Sequence, residues 1–161
     1  MKSSKLTELM NETLPSLSFQ KRRKYKTNIY EVRKIYKLIN NEIFNDKLPM
    51  AKLIVKKRMD DAWGKCYGIK TPTLNKSGVE LVFCQNWYCK QWLIMTIAHE
   101  MCHQYQWDII GYQRLKKNLK PLISHGPTFY QHRKKLFKRG IPLKKYMYHM
   151  YWFQHQNILK C

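Results

Sequence analysis

The run Trp92-Leu93-Ile94-Met95-Thr96-Ile97-Ala98-His99-Glu100-Met101-Cys102-His103-Gln104-Tyr105 sets a His-Glu-x-x-His pattern in an apolar, helix-forming context. Four residues advance an α-helix by about 400°, so the His99 and His103 imidazoles stand about 40° apart, one turn from each other, and can share one tetrahedral metal. Glu100 lies about 100° round from His99, close enough to reach a solvent molecule on that metal without being a ligand. Ile94, Ile97, Ala98, Met101 and Tyr105 form an apolar side. A helix buried by that side turns its polar cluster toward a cleft. The spacing predicts this helix over 86–110, with Gly111 as its stop.

A catalytic site of this kind needs a third protein ligand. The metzincin extension requires Gly at 106 and His at 109, where this chain has Gln106 and Ile109. No glutamate follows Glu100. Asp108 is turned about 140° from His103 on the same helix and points elsewhere, and Cys102 and Tyr105 occupy the helix's other sides. His125, His132, His149 and His155 remain. His125 is favoured, because it stands at the mouth of a predicted helix and is braced by Gly126-Pro127. His132, seven residues on and on roughly the same helix face, suits a group behind the ligands or an alternative ligand.

Working outward, Val32, Ile35, Tyr36, Ile39 and Ile43 recur at helical spacing after Asn28, and Glu31 three positions later gives a capping box. Asn45-Asp46-Lys47-Leu48-Pro49 ends that helix. Three short runs, 52–56, 63–69 and 79–83, read as strands, the last two joined by a turn-rich stretch suited to a hairpin. A third helix is expected from Pro127, fading at Arg139-Gly140-Ile141-Pro142. The layout is α+β, with a small antiparallel sheet and the His-Glu-x-x-His helix. It divides into a basic, flexible N-terminal arm over 1–27, a domain over 28–143 and a basic, aromatic tail over 144–161 that is expected to pack on the domain.

The 161 residues suit one domain, and 31 basic against 10 acidic side chains give a net charge of +21. The last acid is Asp108, and the 53 residues beyond it carry 12 Lys and Arg. Such an imbalance points to a polyanionic partner, with single-stranded DNA favoured through the basic arm, Lys21-Arg22-Arg23-Lys24, and the tail, where Lys144, Lys145, Tyr146, Tyr148 and Trp152 mix cations with stacking rings. No apolar run approaches the roughly 18 residues of a membrane span, and the first residues lack the apolar stretch of a secretory signal. Five cysteines without a Cys-x-x-Cys pair argue against a disulfide framework and for a reduced, intracellular setting.

The segment His99-Glu100-Met101-Cys102-His103-Gln104-Tyr105-Gln106, followed by His125-Gly126-Pro127-x-Phe129, resembles the SprT-like zinc metalloproteases, which include the Spartan proteases of DNA-protein crosslink repair. Phe44-Asn45-Asp46-Lys47-Leu48-Pro49 and Trp63-Gly64-Lys65-Cys66-Tyr67 extend the likeness upstream. The resemblance implies a zincin-like domain, Zn2+ on His99, His103 and His125, Glu100 as general base, and protein substrates associated with or crosslinked to DNA. Relatives commonly add a cysteine-rich zinc ribbon, a pattern that does not occur here, which leaves DNA targeting to the arm and tail. The strand 63–69 is the expected pairing edge for an extended substrate, and Tyr112, Tyr130 and His132 are the candidates for stabilising the oxyanion. Two other readings stand beside this one. One is a basic nucleic-acid-binding module with a structural or vestigial zinc site. The other is a deformylase-type amidohydrolase, whose cysteine ligand would need an upstream context that Cys84 and Cys89 lack.

Overall fold

The computed structural model describes residues 3–12, 25–117, 119–120 and 122–145. Helix α1 (Lys5–Met10) is capped by Ser4, whose hydroxyl accepts from the Thr7 amide at 3.1 Å. It buries Leu6 and Met10, and the Leu6 amide donates to Glu42 Oε1 at 3.1 Å. Part of the stretch expected as an arm is therefore packed structure. The basic block at 21–24 lies outside the described residues.

Strand β1 (Tyr25–Lys26) leads into α2 (Ile29–Phe44), which Asn28 caps by accepting from the Glu31 amide at 3.0 Å. Only half of the capping box forms: the Glu31 carboxylate instead accepts from Thr27 Oγ1 at 2.6 Å and from the Tyr25 hydroxyl. Val32, Ile35, Tyr36, Ile39 and Ile43 make the buried stripe that the periodicity predicts. Asn45, left-handed at φ 55°, ends the helix, and the Asn40 carboxamide then grips both main-chain groups of Leu48, at 2.9 and 3.1 Å.

The three-stranded sheet runs β2 (Lys52–Lys56), β4 (Val79–Cys84), β3 (Gly64–Gly68), with β4 in the centre. It is mixed, and the expectation of an antiparallel sheet is corrected: β3 and β4 form the antiparallel hairpin, with Cys66 opposite Leu81, but β2 runs parallel to β4, with Ile54 opposite Val82. The chain leaves β2, passes over one strand's place to β3, and returns as β4 into the gap. Two strand spacings, about 10 Å, are within reach of the linking segment.

Asn86–Trp87 form strand β5, paired with Tyr25–Lys26, and are not the start of the second helix. That helix, α3 (Lys90–Gln104), begins after an extended Cys89 and lies at the centre of the core, with Trp92, Leu93, Ile94, Ile97, Ala98 and Met101 fully buried. Gly111 does not stop it either. The helical run widens into a π-helix over Tyr105–Gly111 and continues as α4 (Tyr112–Lys116). The third helical segment starts at Phe129, two residues later than expected, as a 3-10 turn over Phe129–His132 followed by α5 (Arg133–Phe137), and a left-handed Gly140 at φ 77° closes it. Among the described residues no helix is long and apolar enough to cross a membrane. The aromatic tail over 146–161 lies outside the described residues, with His149 and His155.

Candidate metal centre

Three histidines from two separate segments meet. His103 Nε2 lies 3.1 Å from His125 Nε2, which lies 3.4 Å from His99 Nε2. One ligand atom from each falls within 4.8 Å of the others, so the three can hold a metal ion. The spacing fits: a tetrahedral ion about 2.0–2.1 Å from each imidazole nitrogen holds its ligands about 3.3 Å apart. No cysteine or carboxylate joins the group among the described residues.

The helical half of the site follows from α3's place in the core. His99 and Glu100 are each 7% exposed. Burial drives the His99 imidazole down to about 3 and the His103 imidazole to about 4, with the neighbouring imidazoles adding to both, while the Gln106 hydrogen bond opposes the shift at His103. Burial and nearby Lys145 also lower His125. All three rings are thus neutral near pH 7 and offer lone pairs to a cation. The Glu100 carboxyl is pushed up to about 8 by burial, and the Cys66 main chain beside it pulls the other way.

The other half is a turn. The Gly126 amide donates to Ile123 O at 3.1 Å, and the Phe129 amide to Gly126 O at 3.0 Å, which aims His125 back toward α3. The Phe129 ring is fully buried and touches all three imidazoles, with centroids 4.9, 4.5 and 4.7 Å from His99, His103 and His125.

A cleft of about 790 Å3 passes over Glu100 and the three histidines and is lined as well by Gly64 to Gly68 of β3, by Leu115 and Leu119, and by Trp107, whose ring packs directly against Gly68. Strand β3 sits close to α3 because Gly64 lacks a side chain: a Cβ there would lie 2.7 Å from Thr96 Cγ2 and 3.2 Å from Glu100 Cγ. The π-helix braces the hairpin behind the cleft. Asp108, which points away from the imidazoles as expected, accepts from Ser77 Oγ at 2.6 Å, the Gly78 amide at 2.7 Å and Gln104 Nε2 at 3.0 Å. Trp107 donates to Lys70 O at 3.2 Å.

His132 belongs to neither half. Its ring packs edge-on against Phe44 and Tyr105, 4.6 Å from each, and it is neither a ligand nor a support for one. Tyr112, Tyr130 and His132, the candidates for the oxyanion, are all absent from the described lining of the cleft. Sequence reasoning missed Gln106, whose carboxamide contacts His103 and the turn, and gave Phe129 no role beyond its place in the motif. A glutamine three residues after a histidine is too common to be a signal. Phe129 was legible only as the last letter of His125-Gly126-Pro127-x-Phe129.

A family model for the SprT-like family matches residues 32–149. The chain belongs to the SprT-like family. Both halves of the metal centre fall inside the matched region of this metallopeptidase-type family. No curated protein shows a significant sequence match to the chain.

Proposed function

We propose that this SprT-like chain is a zinc-dependent endopeptidase with a zincin-like domain, in which His99, His103 and His125 hold Zn2+ and Glu100 is the general base. The observation that carries the reading is the convergence of three neutral imidazoles, 3.1 and 3.4 Å apart, beside a buried carboxyl at the base of an open cleft. An ion held by His99, His103 and His125 would supply Lewis-acid polarisation of the scissile carbonyl and, if it is Zn2+, would lower the pKa of a water to about 7. With a cation held beside it to favour the ionised form over the one that burial alone favours, the Glu100 carboxylate accepts the proton of the attacking water and delivers it to the departing amine, so hydrolysis proceeds without a covalent enzyme intermediate. Strand β3 lies at the sheet edge and lines the cleft, which supports pairing with an extended substrate segment.

The net charge of +21 supports substrates held on DNA, single-stranded DNA being the preferred form. Lys65, Arg114, Lys120 and Lys145 line the cleft, and Glu100 is the sole acid among its described lining residues. A module with a purely structural zinc site is disfavoured, because structural sites are closed by four protein ligands and have no use for a carboxyl beside an open position.

The test is incubation of the zinc-loaded chain and of Glu100→Gln with a basic DNA-binding protein, with and without single-stranded DNA at several salt concentrations. Glu100→Gln is expected to keep one zinc per chain and to lose cleavage by about 100-fold or more. A fully active Glu100→Gln removes the proposed base. DNA binding that does not weaken with salt removes the polyanion reading.

A further inference from the structure

We propose that Gln106 is a positioning residue that presets the metal centre, fixing the tautomer of His103 and fastening the turn that carries His125. The inference rests on the metal-site reading above and concerns how the two ligand-bearing segments are brought into register.

Gln106 is 6% exposed, and its carboxamide makes three contacts. Its Nε2 donates to Ile123 O at 3.0 Å and to Thr128 Oγ1 at 2.9 Å, and its Oε1 lies 3.2 Å from His103 Nδ1. The carbonyl of Ile123 can only accept, so the amide nitrogen must face the turn and the amide oxygen must face His103. The reverse orientation sets two acceptor oxygens against each other. An oxygen facing Nδ1 in turn requires His103 to carry its proton there, which leaves the Nε2 lone pair directed at the nitrogens of His99 and His125.

The same side chain ties the second segment. Ile123 O also accepts from the Gly126 amide at 3.1 Å, and Thr128 lies on the far side of His125. Gln106 therefore grips the turn both before and after its ligand. Ile123 itself is 75% exposed, so its side chain gives the turn little anchorage in the core. One buried carboxamide prevents the third ligand from drifting and the second from presenting the wrong nitrogen.

The experiment uses the full chain, with Co2+ as probe. Affinity is read by competition with a chelator, coordination by the ligand-field spectrum, and the His103 tautomer of the metal-free protein by long-range proton–nitrogen correlation. The wild type is expected to show the Nδ1–H tautomer at His103. Gln106→Met, which fills similar space without either polar contact, is expected to weaken Co2+ binding about 10- to 100-fold and to broaden the spectrum. Gln106→Glu can still accept from Nδ1–H but cannot donate to Ile123 O; it is expected to keep the tautomer while losing affinity. An unchanged affinity and spectrum in Gln106→Met overturns the proposal, as does an Nε2–H tautomer at His103 in the wild type, a measurement that stands even if the Met variant does not fold. A wild-type chain that binds no Co2+ refutes the metal-site reading itself, and that failure is recognised before any variant is made.

Discussion

His99, Glu100 and His103 stand on a helix whose neighbours Leu93, Ile94, Ile97, Ala98 and Met101 are fully buried, whereas His125 stands on a turn beside an Ile123 that is 75% exposed. The first group inherits its geometry from the hydrophobic core, where many contacts share the load and no single one decides the position of an imidazole. The turn relies on a few specific contacts: its own main-chain hydrogen bonds, the Phe129 ring and the Gln106 carboxamide. A site split in this way should lose its metal through the turn long before the helix yields.

Phe129→Ala is the strongest way to break the contrast. Removing this fully buried ring from beneath three imidazoles should cost about 3–5 kcal/mol of stability and weaken metal binding as well. Met101→Ala, equally buried but behind the helix, should cost about 2–5 kcal/mol and leave the metal affinity of the folded protein unchanged. Urea unfolding measures the first quantity and chelator competition the second. If Phe129→Ala binds metal as tightly as the wild type, the turn needs no apolar backing.

Gly64→Ala probes the wall opposite the turn. The added methyl would lie 2.7 Å from Thr96 Cγ2 and 3.1 Å from Phe83 Cδ1, so β3 must shift away from α3 at a cost of about 1–3 kcal/mol. Peptide cleavage should fall while metal affinity holds. A variant as stable and active as the wild type would mean that β3 does not need its close approach.

The smallest effect lies behind both halves. Burial holds His132 down to about 4, against about 6.5 in the unfolded chain. As pH falls the unfolded state takes the proton first, so stability is fully present above about 6.5 and is lost progressively toward about 4. In the metal-free protein His99 and His103 contribute with the same sign. His132→Leu should therefore make the decline of the melting temperature between pH 7 and pH 5 shallower without abolishing it. An unchanged slope would show that His132 does not titrate with folding.

Local signals were legible and long-range ones were not. Asn28 and Asn45 mark the two ends of α2 by capping chemistry, and Lys52–Lys56 forms the strand its residues suggest. His99 and His103 follow from helical spacing. The pairing of Asn86–Trp87 with Tyr25–Lys26 left no such trace, because each two-residue strand is too short to show a period of its own. The direction of β2 depends on where β4 inserts, which no single segment encodes. Gly111 has the local signature of a helix stop, but Asp108 and Trp107 fasten the π-helix to the hairpin and the run continues through it. Tertiary hydrogen bonds outweighed the propensity there, since a glycine in mid-helix costs only about 1 kcal/mol.

Among the described residues no strand pairs with the outer edge of β3, which is open to more than a substrate. Unpaired main-chain groups at a sheet margin are a template for any extended chain, a second copy of this protein included, and self-association through them would obstruct the cleft. The strand limits that hazard by its five-residue length and by the ammonium of Lys65, its second residue. A net charge of +21 adds mutual repulsion between copies, and a polyanion that neutralises it would weaken this safeguard while concentrating the protein.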